Sequence, residues 1–151
     1  MRGKLTTVGA STMAAATVAG IIGAPLAGAA IYHDKRDIAS CGGKEMNVIA
    51  SESDAGAKWA SAQTWVSNPN ASGCGNSSYM TWTKLQYKDR TTNNVGTIGW
   101  NAGTSSAPAS VASRQNSYFL YSCHRVRWSS SGPTVTYQMD RNGVITGGCS
   151  F

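Results

Sequence analysis

Few residues of this chain could support covalent chemistry, and a serine hydrolase site would depend on a single histidine. The sequence contains two histidines, His33 and His124, and His33 lies in a segment near the amino terminus that is expected to fray. No GxSxG motif accompanies His124. His124 stands between Cys123 and Arg125 in a predicted strand, a position more typical of a sheet residue than of a catalytic base. We therefore predict no catalytic residue and no enzymatic activity.

The acidic residues show no pattern of a general acid and a general base. The sequence has seven of them: Asp34, Asp37, Glu45, Glu52, Asp54, Asp89 and Asp140. Asp54, Asp89 and Asp140 lie near predicted turns or caps, where acids are favoured for local reasons, so nothing marks a glycosidase pair. Phosphate-binding glycine loops, histidine clusters and cofactor fingerprints are also missing. The sequence predicts no cofactor and no metal.

The cysteines predict two disulfides rather than a zinc site. They are Cys41, Cys74, Cys123 and Cys149. No two of them have the close spacing of zinc ligands, and an even number in an exported chain favours disulfides. Three connectivities are possible. We expect Cys41 to pair with Cys74 and Cys123 with Cys149, because each bond then closes a shorter loop.

The strongest candidate for a binding surface is a basic and aromatic strand over residues 118–128. Strict alternation places five residues on one face: Phe119, Tyr121, Cys123, Arg125 and Arg127. Arginine beside tyrosine and tryptophan is typical of a protein interface or of a polyanion site, so Arg125, Arg127 and Trp128 are predicted partner contacts. The alternative is a half-buried strand whose arginines extend to solvent at its end.

A second candidate is the segment 30–40, which precedes the first cysteine. Its mixed charges and lack of a clear period predict a flexible arm outside the disulfide-bounded body. Such an arm can bind by adding a strand or by filling a groove on a partner. The alternative is a merely disordered terminus.

The elements that must position these residues are predicted to be strands in the second half of the chain. Residues 79–88 put two sets on opposite faces: Tyr79, Thr81, Thr83, Leu85 and Tyr87 against Met80, Trp82, Lys84, Gln86 and Lys88. Asn93 and Asn94 supply a turn, and residues 95–101 return as a partner strand. Residues 101–113 are expected to be a surface connection.

The end of the chain predicts a three-stranded meander. Its strands are residues 118–128, 134–140 and 144–146, and Asn142 with Gly143 forms the second turn.

The first half gives a mixed pattern. Residues 45–50 favour a strand, whereas residues 51–66 admit a helix with Ser51 as its cap and Asp54 in its first turn. Trp59, Ala62 and Val66 would share one face of that helix. We predict a mainly β domain, a small antiparallel β-sandwich or open barrel with at most one short helix and two disulfides.

The amino terminus predicts export. Arg2 and Lys4 precede an uncharged, Ala- and Gly-rich run over residues 8–24, and a small-x-small site follows that favours cleavage after Ala29, with Ala30 as the alternative. The expected organisation is therefore a signal peptide over residues 1–29, an arm over 30–40 and a disulfide-stabilised β domain over 41–151, secreted to the extracellular space. Removing the leader lowers the formal charge from +6 to +4, by the loss of Arg2 and Lys4.

This organisation resembles the small secreted adaptor subunit of bacterial umbrella toxin particles. The leader, the short arm and the four-cysteine β body carry the resemblance, which covers the whole chain and rests on layout. It implies a non-enzymatic adaptor in bacterial competition, whose arm enters a cleft on a lectin-bearing subunit while its body sits on the stalk of a larger toxin. Ile31 and Tyr32 would be the apolar anchors of the arm, with His33 beside them among the partner contacts.

Two other function classes are open at this point. A small secreted hydrolase or toxin would have to use His124, and an extracellular protease inhibitor would present residues 68–74 to a protease. We expect other secreted proteins as partners, and no membrane once the leader is removed. We also expect no nucleic acid, because the basic residues are scattered rather than clustered.

Overall fold

The structure is a computed structural model that describes residues 29–56, 58–74, 79–104, 109–130 and 132–151. These residues form strands and connections, without a helix. The strands are β1 (Ala29–Cys41), β2 (Lys44–Ser53), β3 (Trp59–Ser67), β4 (Met80–Asp89), β5 (Val95–Thr104), β6 (Ala109–Gln115), β7 (Ser117–Arg127), β8 (Thr134–Asp140) and β9 (Ile145–Gly147). The predicted leader lies outside the described residues, apart from Ala29.

The strands form two antiparallel sheets. One has the order β1-β2-β3-β6 and the other the order β5-β4-β7-β8-β9. The predicted hairpin at Asn93 is confirmed as the β4–β5 turn, and the predicted meander is confirmed as β7-β8-β9 with its second turn at Gly143. Both residues have positive φ, 60° and 77°, which asparagine and glycine tolerate. The predicted mainly β, two-layered fold is confirmed.

The helix that residues 51–66 admitted does not form. Ser51 and Ser53 end β2, and β3 begins at Trp59 after a bend at Gly56. In β3 every second residue is buried, from Ala60 to Val66, so the period is two and not 3.6. Trp59 therefore lies on the opposite face from Ala62 and Val66. Pairing with β2 and β6 on both sides of β3 satisfies its backbone.

Two further segments are more regular than the sequence indicated. Of the expected surface connection over residues 101–113, the first part extends β5 to Thr104 and the last part forms β6, which pairs with β3. The predicted arm over residues 30–40 lies in β1 and pairs with β2.

The register of β1 explains why its pattern was hard to recognise. Lys35 faces Val48, whereas the next paired residue, Ala39, faces Met46. The extra residues form a bulge, which interrupts the alternation of a strand. In this bulge the Arg36 guanidinium lies 4.6 Å from the centroid of the Trp65 ring. Backbone pairing with β2 on both sides of the bulge holds residues 30–40 in the four-stranded sheet.

The core lies between the two sheets. Its largest apolar members are Tyr79, Met46, Phe119, Leu85, Met139 and Trp128. Full burial of a side chain of this size contributes roughly 1.5–3 kcal/mol.

The two predicted disulfides are confirmed. Cys41 pairs with Cys74 and Cys123 with Cys149. Beside the first bond, Gly42 has a φ of +56°, and a Cβ on it would lie 2.1 Å from the Cα of Gly73. The loop that ends at Cys74 is therefore fastened to the β1–β2 turn by a covalent bond and by a backbone contact that only glycine permits.

A bulge in β7 changes which of its residues share a face. Gln86 faces Tyr121 and Tyr87 faces Phe119, so Leu120 is an extra residue. The alternation changes phase there. Phe119 points into the core, while Arg125 and Arg127 follow Tyr121 on the outer face. The prediction that Phe119 shares a face with the two arginines is wrong for this reason.

A buried ionic cluster joins the sheets at one end. Glu52 on β2 is 1 % exposed, and its Oε2 accepts a hydrogen bond from the Phe119 backbone N–H of β7 at 2.7 Å. Arg141, after β8, donates to both carboxylate oxygens at 2.7 and 3.0 Å. Arg90, after β4, lies 3.6 Å from the same carboxylate. The desolvated charge of Glu52 is thus compensated from the opposite sheet.

Candidate functional site

The outer face of the five-stranded sheet presents a group of cationic and aromatic side chains. On β4, the inward residues Thr81, Thr83 and Leu85 are fully buried, which puts Trp82 and Lys84 on the outside. On β7, Arg125 lies opposite Trp82. Trp100 of β5 completes the group from the other side of β4. We call this surface the cation–aromatic face and define it by Trp82, Lys84, Trp100, Arg125 and Arg127.

Each cation of the cation–aromatic face lies over an aromatic ring. The Arg125 guanidinium is 4.1 Å from the centroid of Trp100, and that of Arg127 is 5.8 Å from the centroid of Trp82. The Lys84 ammonium is 6.0 Å from Trp100 and 5.1 Å from the ring of Phe151. Such contacts hold a cation in place without neutralising its charge.

The two arginines of the cation–aromatic face are not paired with an acidic side chain of the described residues. Within the described residues, the ion pairs at 4.0 Å or less involve Arg36, Arg90 and Arg141 only. Arg125 donates instead to the Thr136 hydroxyl at 3.3 Å, and Lys84 to the backbone oxygen of Phe151. The cation–aromatic face therefore keeps a positive charge that a carboxylate from outside the chain could meet.

The second disulfide fixes one border of the cation–aromatic face. Cys123 on β7 binds Cys149, and the following Ser150 donates from its backbone N–H and its hydroxyl to the Gln138 side chain at 2.9 and 2.8 Å. Phe151 then lies 6.1 Å from Tyr121, centroid to centroid. The ring that borders Lys84 is thus held by a covalent bond and by hydrogen bonds to β8.

The predicted partner contacts are distributed over different parts of the structure. Arg125 and Arg127 lie on the cation–aromatic face. Trp128 does not, because it is 3 % exposed and packs in the core. Ile31, Tyr32 and His33 lie on β1, at the edge of the other sheet.

Within that group, Tyr32 is 40 % exposed, while the His33 imidazole is 3.0 Å from the Arg141 backbone oxygen. The β1 residues and the β7 arginines thus belong to different surfaces.

Sequence reasoning missed Trp82, Lys84 and Trp100 as members of a site. The available signal was the alternation of β4, which placed Trp82 and Lys84 together on one face. Trp100 gave no such signal, because the register between β4 and β5 shifts after Thr83.

The histidine considered for serine chemistry lies inside the sandwich. His124 and Ser122 are both 0 % exposed, and the His124 Nε2 lies 2.7 Å from the Ser122 hydroxyl. Its Nδ1 lies 2.8 Å from the Thr64 hydroxyl, which in turn lies 2.7 Å from that of Thr83. Thr83 also donates to the Ser110 backbone oxygen at 2.9 Å. These groups link β3, β4, β6 and β7 through a closed polar cluster.

The environment of His124 keeps the imidazole neutral. Burial lowers the pKa of His124 to about 3, because the ring is removed from the water that would stabilise its charged form. A substrate could reach the Ser122–His124 pair only if the two sheets separated. We interpret the cluster as a structural link between the sheets.

The described residues include no group of three or more His, Cys, Asp or Glu side chains arranged to hold a metal ion. Within the same part of the chain there is no helix long and apolar enough to cross a membrane. The loop considered for protease inhibition contains Asn68 and Cys74, both at positive φ, and is anchored through Gly73 to Gly42.

Comparison with known protein families, with curated proteins and with solved structures finds no match for this chain.

Proposed function

We propose that this chain is a secreted, non-enzymatic binding module that joins a larger extracellular assembly through its cation–aromatic face. The partner is an acidic surface of another secreted protein. An assembly of the umbrella toxin kind, with larger toxin and lectin-bearing subunits, is the specific form of this proposal. Two disulfides are compatible with an extracellular location.

The observation that carries the proposal is the pair of arginines, Arg125 and Arg127, that lie over tryptophan rings and form no ion pair within the described residues. Arginine and tryptophan are the residues that most often dominate the energy of protein interfaces. Their positions on neighbouring strands of a disulfide-bonded sheet fix them before binding, which lowers the entropy lost on association. A partner carboxylate would complete ion pairs at this surface rather than compete with existing ones.

Residues 30–40 are not a free arm in this structure, so their predicted insertion into a partner cleft would require a structural change or a different contact. These residues pair with β2 along most of β1, so insertion would require that this pairing break or that β1 bind through its unpaired edge. The proposal therefore assigns the main contact to the cation–aromatic face.

Charge reversal at the face tests the proposal. The tagged wild-type chain, the double variant Arg125→Glu/Arg127→Glu and the control Lys35→Glu are each recovered from culture supernatant, and co-purified proteins are identified by mass spectrometry. Lys35 is exposed and lies on the other sheet. The partner recovered with wild-type chain should bind the double variant at least about tenfold more weakly, since a charged hot spot contributes 2 kcal/mol or more.

The control should bind the same partner as wild-type chain does, and added salt should weaken that binding. Equal recovery of the partner by the double variant, in the presence of a folded β domain, would reject the proposal.

A further inference from the structure

A second surface, to which no role has been assigned so far, forms an open cleft with one indole and several polar side chains. It is a polar cleft around the end of β6. One part, of about 290 Å³, is lined by Trp59, Ser61, Ser113, Arg114 and Gln115. A second part, of about 500 Å³, shares the β6 residues and extends to Asp89 and Asn116. These volumes fall close to or within the usual range of ligand sites, about 300–1,000 Å³.

The register of the four-stranded sheet creates the first part of this cleft. Trp59 faces Gln115, and Ser61 faces Ser113. Alternate residues of paired strands share a face, so an indole, an amide and two hydroxyls lie together on the outer surface of the sheet. Among the described residues, the side chains of Ser61, Ser113 and Gln115 have no hydrogen-bond partner, and Ser113 and Gln115 are exposed.

Hydrogen bonds hold the turn that lines the second part of the cleft. The backbone N–H of Asn116, a residue with a φ of +50°, donates to the Lys58 oxygen at 2.6 Å, and its oxygen accepts from the Arg90 backbone at 2.9 Å. Its side chain donates to the Thr91 hydroxyl at 2.8 Å. The turn between β6 and β7 is therefore held by two other segments before any ligand arrives, which favours binding.

The charges of the cleft restrict the ligand. Arg114 is exposed, lies 5.4 Å from the Tyr87 ring and has no ion pair within 4.0 Å among the described residues. Asp89 lies in the same cleft, and hydrogen bonds from the backbone of Thr92 and Thr91 lower the pKa of its carboxyl. One cation beside one carboxylate does not favour a phosphate group.

A saccharide fits this combination better than a peptide or a nucleotide does. One side of a sugar ring is largely C–H and can pack on an indole. Its hydroxyls both donate and accept, as do the serine hydroxyls and the glutamine amide of the cleft. A peptide strand could pair with β6, the last strand of its sheet, but such a strand would lie beside β6 and one strand away from the Trp59 indole of β3.

We propose that the cleft formed by Trp59, Ser61, Ser113, Arg114 and Gln115 binds a saccharide, with the Trp59 indole as the packing surface. The site is independent of the cation–aromatic face, which lies on the other sheet.

An array of immobilised oligosaccharides tests this inference with the purified chain alone. The array carries neutral hexose, N-acetylhexosamine and uronic acid oligosaccharides. Wild-type chain should bind at least one class, and Trp59→Ala should weaken that binding at least tenfold. The control Trp65→Ala, on the same strand and face but beneath Arg36, should bind as wild-type chain does.

A second variant distinguishes a loss of the saccharide site from a loss of the fold. Ser113→Ala/Gln115→Ala changes only exposed side chains and should weaken binding at least threefold while the thermal unfolding midpoint stays unchanged. The inference is overturned if no saccharide on the array binds, or if both this variant and a folded Trp59→Ala bind as wild-type chain does. Binding that is instead lost in Arg125→Glu/Arg127→Glu would also overturn it. None of these results bears on protein binding by the cation–aromatic face.

Discussion

The buried His124 should make the stability of this domain fall between pH 7 and pH 5. Folding lowers its pKa from about 6.5 to about 3. Between pH 7 and pH 5 the His124 imidazole therefore binds a proton in the unfolded chain but not in the folded protein. A group of this kind contributes stability above pH 6.5 that is lost as the pH falls toward its folded pKa. The cause is the closed cluster around His124, in which Thr64 and Ser122 hold a neutral ring.

The magnitude follows from the unfolded pKa alone, since pH 5 is still well above the folded value. Each unit of pH below about 6.5 costs about 1.4 kcal/mol per proton. Acidification from pH 7 to pH 5 should therefore lower the free energy of unfolding by about 2 kcal/mol through His124. Asp89, whose pKa is lowered by hydrogen bonds from the Thr92 and Thr91 backbone, stays ionised in this interval.

Urea unfolding followed by tryptophan fluorescence measures this effect. The variant His124→Gln keeps a polar side chain and removes the titration. It should be less stable than wild-type chain at pH 7, and the difference between the two should shrink by about 2 kcal/mol at pH 5. His33 is present in both proteins, so its contribution cancels. An unchanged difference would refute the reasoning, as would an imidazole NMR signal of His124 that titrates near pH 6.5 in the folded protein.

Three further perturbations address the rest of the fold. Glu52→Gln should lower the free energy of unfolding by about 3 kcal/mol because it breaks a buried ion pair. The control Asp34→Asn breaks a more exposed pair with Arg36 and should cost less than about 1 kcal/mol. Equal losses of the two variants in urea unfolding would contradict the buried ionic cluster. Gly42→Ala should cost about 2 kcal/mol or more through backbone overlap and strain, and Gly99→Ala, which meets nothing within 4 Å, is its control in a thermal melt. Reduction of both disulfides, which span 33 and 26 positions, should cost about 3–4 kcal/mol for each bond; native protein that titrates with free thiols before reduction would contradict the pairing.

Much of the fold was predictable because period and turn chemistry are local properties. The alternation of residues 79–88 placed Thr81 and Leu85 on one face, which the structure buries in the core, and Gly143 marked the last turn. The disulfides followed from the short loops they close.

The errors have a common physical cause in bulges and weak local patterns. Leu120 changes the phase of β7, the bulge of β1 adds two residues that have no partner on β2, and such insertions leave no mark on composition. Trp59, Ala62 and Val66 are spaced as on one face of a helix, but three apolar residues can have this spacing in a strand by chance. In that segment, pairing with two neighbouring strands outweighed the local preference.

The candidate site was predictable only in part, because it is assembled across strands. Arg125 and Arg127 were identified from one strand, and Trp82 and Lys84 were already on a common face of another. Their union depends on the pairing of β4 with β7, which is a long-range contact. Trp128 was predicted as a partner contact from its place next to Arg127. It follows the last residue of β7, continues the inward-facing row of that strand and is therefore buried.

Side-chain footprinting of the secreted assembly tests the central claim most directly. Hydroxyl radicals oxidise accessible tryptophans, and mass spectrometry compares each indole in the isolated chain and in the complex. Partner binding through the cation–aromatic face predicts that Trp82 and Trp100 become protected in the complex while Trp59 stays as reactive as before. Unchanged oxidation of Trp82 and Trp100 in a complex that contains the partner would contradict the account.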